Sequence, residues 1–158
     1  MPKHSYAHKA LNRAVRKALH RYDMISDGDR ILLGLSGGQA SLSLKWRLTE
    51  RRTRIPIDYE LFAVYVDLGF PGGFSDALRE YGEKAGYALR IAYTDYGVIS
   101  HGPENLENPC FLCSRLRRKR LFEAAEELGC NKIALGHNKD DLIETLFINM
   151  CYAGEIST

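Results

Sequence analysis

Three short stretches carry residue types that could do chemistry. Residues 34–41 read G-L-S-G-G-Q-A-S, residues 109–120 read P-C-F-L-C-S-R-L-R-R-K-R, and residues 133–141 read I-A-L-G-H-N-K-D-D. In the first, Gly37 and Gly38 have no Cβ, so the chain can turn sharply and a phosphate can approach the backbone. Ser36 and Ser41 add hydroxyl donors, and a helix starting there offers free N–H groups and the positive end of its dipole. The G-K-[ST] of a Walker loop is missing, and so is G-x-G-x-x-G. From these residues alone, a phosphate loop and a plain strand-to-helix turn are equally good readings. In the second stretch, Cys110 and Cys113 have the C-x-x-C spacing of iron–sulfur or zinc ligands, or of a redox dithiol. A helix mouth with Arg115 and Arg117 beside it favours thiolates. In the third, Asp140 and Asp141 either cap a helix or hold Mg²⁺. His137 either contacts phosphate or makes a structural hydrogen bond. Glu144, one turn further on, reads as a packing or salt-bridge residue. Cys130 and Cys151 read as small core residues.

Those stretches need a scaffold, and the hydrophobic pattern supplies one. Short apolar runs at Arg30–Leu35, Leu61–Val66, Tyr87–Tyr93 and Lys132–Leu135 read as strands. Helical spacing covers the N-terminal stretch to Tyr22, then Ser41–Arg52, Ser75–Ala85, Leu112–Leu128 and Asp140–Cys151. Ser26–Asp29 is a turn, and Asp95–Pro109 reads as loop. Strands alternating with helices call for an α/β fold, a doubly wound parallel sheet covered on both faces. Ligands of such sheets sit beyond the carboxyl ends of the strands. Here those ends carry Ser36-Gly37-Gly38, Asp67 and Gly136-His137.

The chain has 158 residues, enough for one domain with a core, and its 45% hydrophobic and 27% charged residues are ordinary for a globular protein. No apolar run approaches the roughly 20 residues of a membrane span, and no signal peptide is visible. The expectation is a cytoplasmic protein with reduced cysteines and no membrane partner. The net charge of +2 hides clustering. Lys3, Lys9, Arg13, Arg16, Lys17 and Arg21 fall in an acid-free start. Lys45, Arg47, Arg51, Arg52 and Arg54 form a second cluster, and Arg115, Arg117, Arg118, Lys119 and Arg120 a third. Each reads singly as a solvated helix face; together, beside a phosphate-type loop, they point to RNA.

Asp23–Ser41 resembles the PP-loop ATPases, whose pattern is S-G-G-x-D-S, and the three stretches together resemble the tRNA 2-thiocytidine synthetases and their close relatives. The likeness covers nearly the whole chain. It implies a Rossmann-like, adenine nucleotide alpha-hydrolase-like domain over residues 23–158, behind a basic helix over residues 1–22, with a C-terminal portion missing. It implies cleavage of ATP between the α and β phosphates, adenylation of a cytidine carbonyl in tRNA, and replacement of its oxygen by sulfur delivered through a [4Fe–4S] cluster. ATP and Mg²⁺ would then lie at Ser36, Gly37, Gly38, Gln39 and Ser41. The backbone of Val64 to Val66 would meet the adenine edge and Asp67 the ribose or Mg²⁺. Gly136 and His137 would flank the phosphates, and one of Asp140 and Asp141 would face ATP and the cluster. Cys110 and Cys113 would hold the cluster; the family's third cysteine has no counterpart here. Arg117 falls at a catalytic basic position, and Arg115, Arg117 and Arg118 would fork onto tRNA phosphates, fixing position rather than reading sequence. A sulfur donor such as a cysteine desulfurase and a homodimer also follow from the resemblance.

Two positions depart from it. Gln39 stands where the subfamily usually has Lys, and Ala40 where the family has Asp. Both losses weaken stabilisation of a pentavalent phosphate, where one charged contact is worth a few kcal/mol. Three readings stay open: slow turnover on a loop that still binds, recruitment of Asp67, Asp140 or Asp141, or a deliberate substitution that traps a complex. A non-catalytic nucleotide- or tRNA-binding relative, and a PP-loop enzyme acting on a small molecule, are the alternatives to thiolation.

Overall fold

The computed structural model describes residues 6–157. Lys3 of the first basic cluster lies outside them. Chain order runs α1 (Tyr6–Arg21), β1 (Asp29–Leu35), α2 (Gln39–Arg52), β2 (Tyr59–Asp67), α3 (Ser75–Lys84), β3 (Leu89–Tyr93), α4 (Tyr96–Ser100), α5 (Pro109–Glu127), β4 (Lys132–Leu135) and α6 (Lys139–Ile148), then a π-helical turn, Asn149–Ala153. The four strands form one parallel sheet in the order β3-β2-β1-β4. The register sets Gly34 against Val64 on one side and Leu135 on the other.

The central strands β1 and β2 are apolar on both faces because both faces are covered. Leu32, Val64, Val66 and Ala92 pack under Leu121, Ala124 and Ala125 of α5. Each fully buried side chain of this size is worth about 1.5–3 kcal/mol. On the other face Tyr59 is 1% exposed, and its hydroxyl donates to the carbonyl of Leu48 in α2 at 2.7 Å. At the opposite end of the sheet from the loops, Asp29 joins three segments. It accepts from the backbone N–H of Ser26 (2.6 Å), from Asn131 (2.8 Å) and from Lys132 (2.6 Å).

Several features differ from the sequence reading. The stretch read as loop contains α4, one short turn whose Gly97 fits against Phe70 and the carbonyl of Leu68. The helix expected from Leu112 begins at Pro109, since Asn108 accepts the N–H of Phe111 and a proline at the first helical position needs no N–H partner. The last helix breaks into a π turn after Ile148. Cys151, expected in the core, is exposed, whereas Cys130 is half-buried and packs against the core as expected.

Candidate active site

The sheet reverses its winding between β1 and β4, so the gap beyond their carboxyl ends is the place a doubly wound fold leaves for a ligand. A cleft of about 220 Å³ lies there. Ser36 and Ser41 line it from the β1–α2 side, Gly136 and His137 from β4, and Ser114, Arg117 and Arg118 from α5. Gly34 forms its floor; a Cβ there would stand 2.6 Å from Leu135 Cδ2 and 3.4 Å from Leu121 Cδ1.

The loop is held from within. Gly37 takes φ +77°, the left-handed region that favours glycine, and a Cβ on it would sit 2.6 Å from the Phe74 ring. Buried Ser41 is the hub: its Oγ accepts the Ser36 N–H at 3.2 Å, lies 3.2 Å from Ser36 Oγ and donates to the Gly38 carbonyl at 3.0 Å. Gly38 caps α2 with no side-chain hydrogen bond, so the first N–H groups of that helix face outward without an intrahelical partner. Gly136 closes the other wall, where a Cβ would meet both N and Cα of Ser41 at 2.7 Å. Gln39 and Ala40 are exposed at the helix start.

Helix α5 carries the cysteines one and two turns before Arg117, outside the cleft's lining. Cys113, Arg117 and Leu121 follow at four-residue spacing and so share a face, with each step rising about 6 Å. Leu121 anchors that face in the core, and Cys113 is 9% exposed beneath it, while Cys110 is exposed one turn earlier. Of the third basic cluster, Arg115 pairs with Glu107 at 3.2 Å and lies over the Phe111 ring; Lys119 and Arg120 pair with Glu123, and Arg120 also with Glu127. Only Arg117 and Arg118 turn to the cleft.

The remaining candidates are not in it. Asp67 is engaged locally, accepting the Gly69 N–H at 2.8 Å and the hydroxyl of Ser75. Val64 and Val66 are 0% and 2% exposed. Val64 pairs on both sides within the sheet, whereas Val66, beside Ala92 of β3, lies one residue past the last β1 partner. Asp140 is exposed, and Asp141 closes a capping box: Asn138 accepts the N–H groups of Asp140 (2.7 Å) and Asp141 (3.1 Å), and Asp141 accepts that of Asn138 (2.7 Å). Among the described residues no three His, Cys, Asp or Glu side chains come together as a metal-holding group. Cys110 and Cys113 stand near the start of α5, and Cys130 lies beyond its other end. The sequence reading missed Ser114, Gly34 and Asn138. The last was legible, because Asn followed three residues later by an acid at a helix start is a capping-box pattern.

A family model described as a PP-loop domain matches residues 7–155. The chain belongs to the PP-loop family. Among PP-loop relatives, it is 42% identical over 149 residues to the tRNA-cytidine(32) 2-sulfurtransferase of Pelobacter propionicus, covering 94% of this chain and 55% of that protein. It is 40% identical to the enzyme of the same name from Geobacter sulfurreducens, over 94% of this chain and 58% of the relative. The chain thus spans somewhat over half the length of these relatives. Among solved structures, it superimposes with a TM-score of 0.79 and 32% identity on the U34-tRNA thiolase NcsA from Methanococcus maripaludis with its [4Fe–4S] cluster, over 94% of this chain and 50% of that one.

Proposed function

We propose that this PP-loop domain takes part in ATP-dependent tRNA thiolation, activating a cytidine carbonyl by adenylation before sulfur replaces its oxygen. The observation that carries the proposal is the single cleft at the winding reversal. There the Ser36–Ser41 loop meets Arg117, Arg118 and His137, and Cys113 precedes Arg117 by one turn of α5. The names of the relatives and of the structural neighbour support the same reading.

In this reading the unpartnered N–H groups at the start of α2 and the hydroxyl of Ser36 receive the phosphates of ATP, and the helix dipole favours their charge. Arg117 and Arg118 offset the charge that grows as the α-phosphate is attacked and pyrophosphate departs. Arg118, more exposed, also meets the RNA backbone. Val66, with one backbone edge beyond β1, meets the adenine. Mg²⁺ would neutralise phosphate charge, and Asp140, exposed and left free by the capping box, would be the acid to hold it. A [4Fe–4S] cluster, when bound, supplies the sulfur-carrying iron. Cys110 and Cys113 would give two of its thiolate ligands. A sulfur donor such as a cysteine desulfurase, a homodimer and a cytoplasmic setting belong to the same proposal.

The test is pyrophosphate release from Mg-ATP under anaerobic conditions with unmodified bulk tRNA, on this chain and on Gln39→Lys/Ala40→Asp. Release by the unaltered chain means that the loop adenylates as it stands. Release by the double variant alone means that positions 39 and 40 silence an otherwise intact site. Release by neither, when each is also assayed with the remaining half of a relative supplied, overturns the proposal in favour of a binding role.

A further inference from the structure

The first two basic clusters meet in space, away from the cleft. Lys9, Arg13, Arg16 and Lys17 recur at i, i+4, i+7 and i+8 and so fall on one face of α1. Part of that face and the end of α2 enclose an open cleft of about 490 Å³, into which Arg47, Arg51 and Arg54 project. A second hollow between Arg13, Arg16, Lys17 and Arg51 continues it. The only carboxylate in the lining is Glu50, already shared by Arg47 (3.8 Å) and Arg54 (2.6 Å). Among the described residues no acid pairs with the four α1 cations, and the Nε of Arg51 is buried without a hydrogen-bond partner. Like charges held this close repel in the absence of an anion. The other members of the second cluster turn elsewhere: Lys45 lies 3.5 Å over the Tyr87 ring, and Arg52 pairs with Asp58.

We infer that this α1–α2 cleft is a second RNA-backbone site, binding consecutive phosphates of the tRNA whose base is treated at the cleft between β1 and β4. The inference rests on the tRNA-thiolation reading. The shape of the charge favours a chain of phosphates over one small anion. The α1 cations span about 12 Å along the helix, and Arg51 lies about 18 Å along α2 from the loop at Gln39. Arginine forks match phosphate oxygens two at a time, and such contacts set register without reading bases. A substrate held at both places is fixed in orientation as well as in position.

The test uses the exposed α1 side chains, whose replacement leaves the core untouched. Lys9→Gln/Arg13→Gln/Arg16→Gln/Lys17→Gln is compared with the unaltered chain for binding of bulk unmodified tRNA across a salt series, with thermal unfolding run in parallel. Each lost phosphate contact lowers the slope of log K against log salt by about 0.7–0.9. The expected result is tRNA affinity at least tenfold weaker, a slope lower by about 3–3.5, and an unchanged unfolding temperature. Affinity within twofold and an unaltered slope overturn the second site and leave the thiolation reading standing. Failure of the unaltered chain to bind tRNA overturns both. Displacement of tRNA by poly-glutamate at equal charge concentration overturns it in favour of an acidic protein partner. Weakened tRNA binding in a chain that never releases pyrophosphate keeps the site while removing the reaction.

Discussion

Replacing Gly136 by alanine tests whether the loop geometry is as tight as described. The added Cβ would stand 2.7 Å from both N and Cα of Ser41. Ordinary contact begins at 3.4 Å, so the walls must part by about 0.7 Å, and the obstacle is backbone, which cannot rotate away. Overpacking of this kind costs about 1–3 kcal/mol. For a chain of this size that lowers the unfolding temperature by about 2–4 °C per kcal/mol. The strain falls on Ser41, whose Oγ ties Ser36 to Gly38, so the phosphate loop should loosen with it. Gly38→Ala is the control, because its φ of −76° suits any residue and its Cβ would meet only Ser36 Oγ, at 3.4 Å. Urea unfolding followed by circular dichroism gives both stabilities, and ATP binding by calorimetry gives the effect on the loop. The reasoning is refuted if the two variants lie within about 0.5 kcal/mol of each other.

Three further outcomes are expected. Burial raises the pKa of Asp29, but hydrogen bonds from Lys132, Ser26 and Asn131 outweigh it and hold the carboxyl below its ordinary value. Its stabilisation is therefore present above the unfolded-state pKa and lost as pH falls through the lower folded one. Asp29→Asn should cost about 1–2 kcal/mol at pH 7, kept low because partly exposed Lys132 is screened by water, and the gap should close in urea titrations taken into that acid range; a gap independent of pH refutes it. Asn138→Ala removes the acceptor for two N–H groups and should cost about 1 kcal/mol in the same assay. Arg117→Gln should weaken ATP binding about 10–100-fold, the worth of one charged hydrogen bond. Arg115→Gln should stay within about twofold, because Glu107 already holds that side chain.

The sheet was legible because its central strands β1 and β2 are buried on both faces and so appear as unbroken apolar runs. Lys132–Leu135 matches its predicted bounds residue for residue. Helix starts were less so. Ser41 was taken as the start of α2, yet the helix begins at Gln39, because a glycine cap leaves no side-chain signal. Asn108 before Pro109 did carry a start signal, and reading it would have moved Cys110 and Cys113 into the first turn of α5. Within the site, the glycines and serines declared themselves through their small size and their place between strand and helix. The acids did not, since a carboxylate that caps a helix and one that holds a metal have the same letters. Only the bond from Asn138 to Asp141 separates them. Charge clusters blur in the same way. The five basic residues between 115 and 120 on α5 divide into three held by acids and two facing the cleft, a division set by Glu107, Glu123 and Glu127.

Among the described residues β4 is hydrogen-bonded on one side only, against β1. Its outer edge borders a groove of about 730 Å³ floored by Leu121, Phe122 and Ile133, and nearby α6 shows Leu142, Phe147 and Ile148 to solvent. An open strand edge with grease around it is a template for further sheet growth. Its length of four residues is its main protection, since Lys132 is paired with Asp29 at 2.6 Å. The colloidal behaviour of the isolated chain is thus decided at β4 rather than in the nucleotide cleft. Concentrated solutions should thicken into β-rich aggregates, while a lysine in place of exposed Phe122 beside that edge would keep them clear.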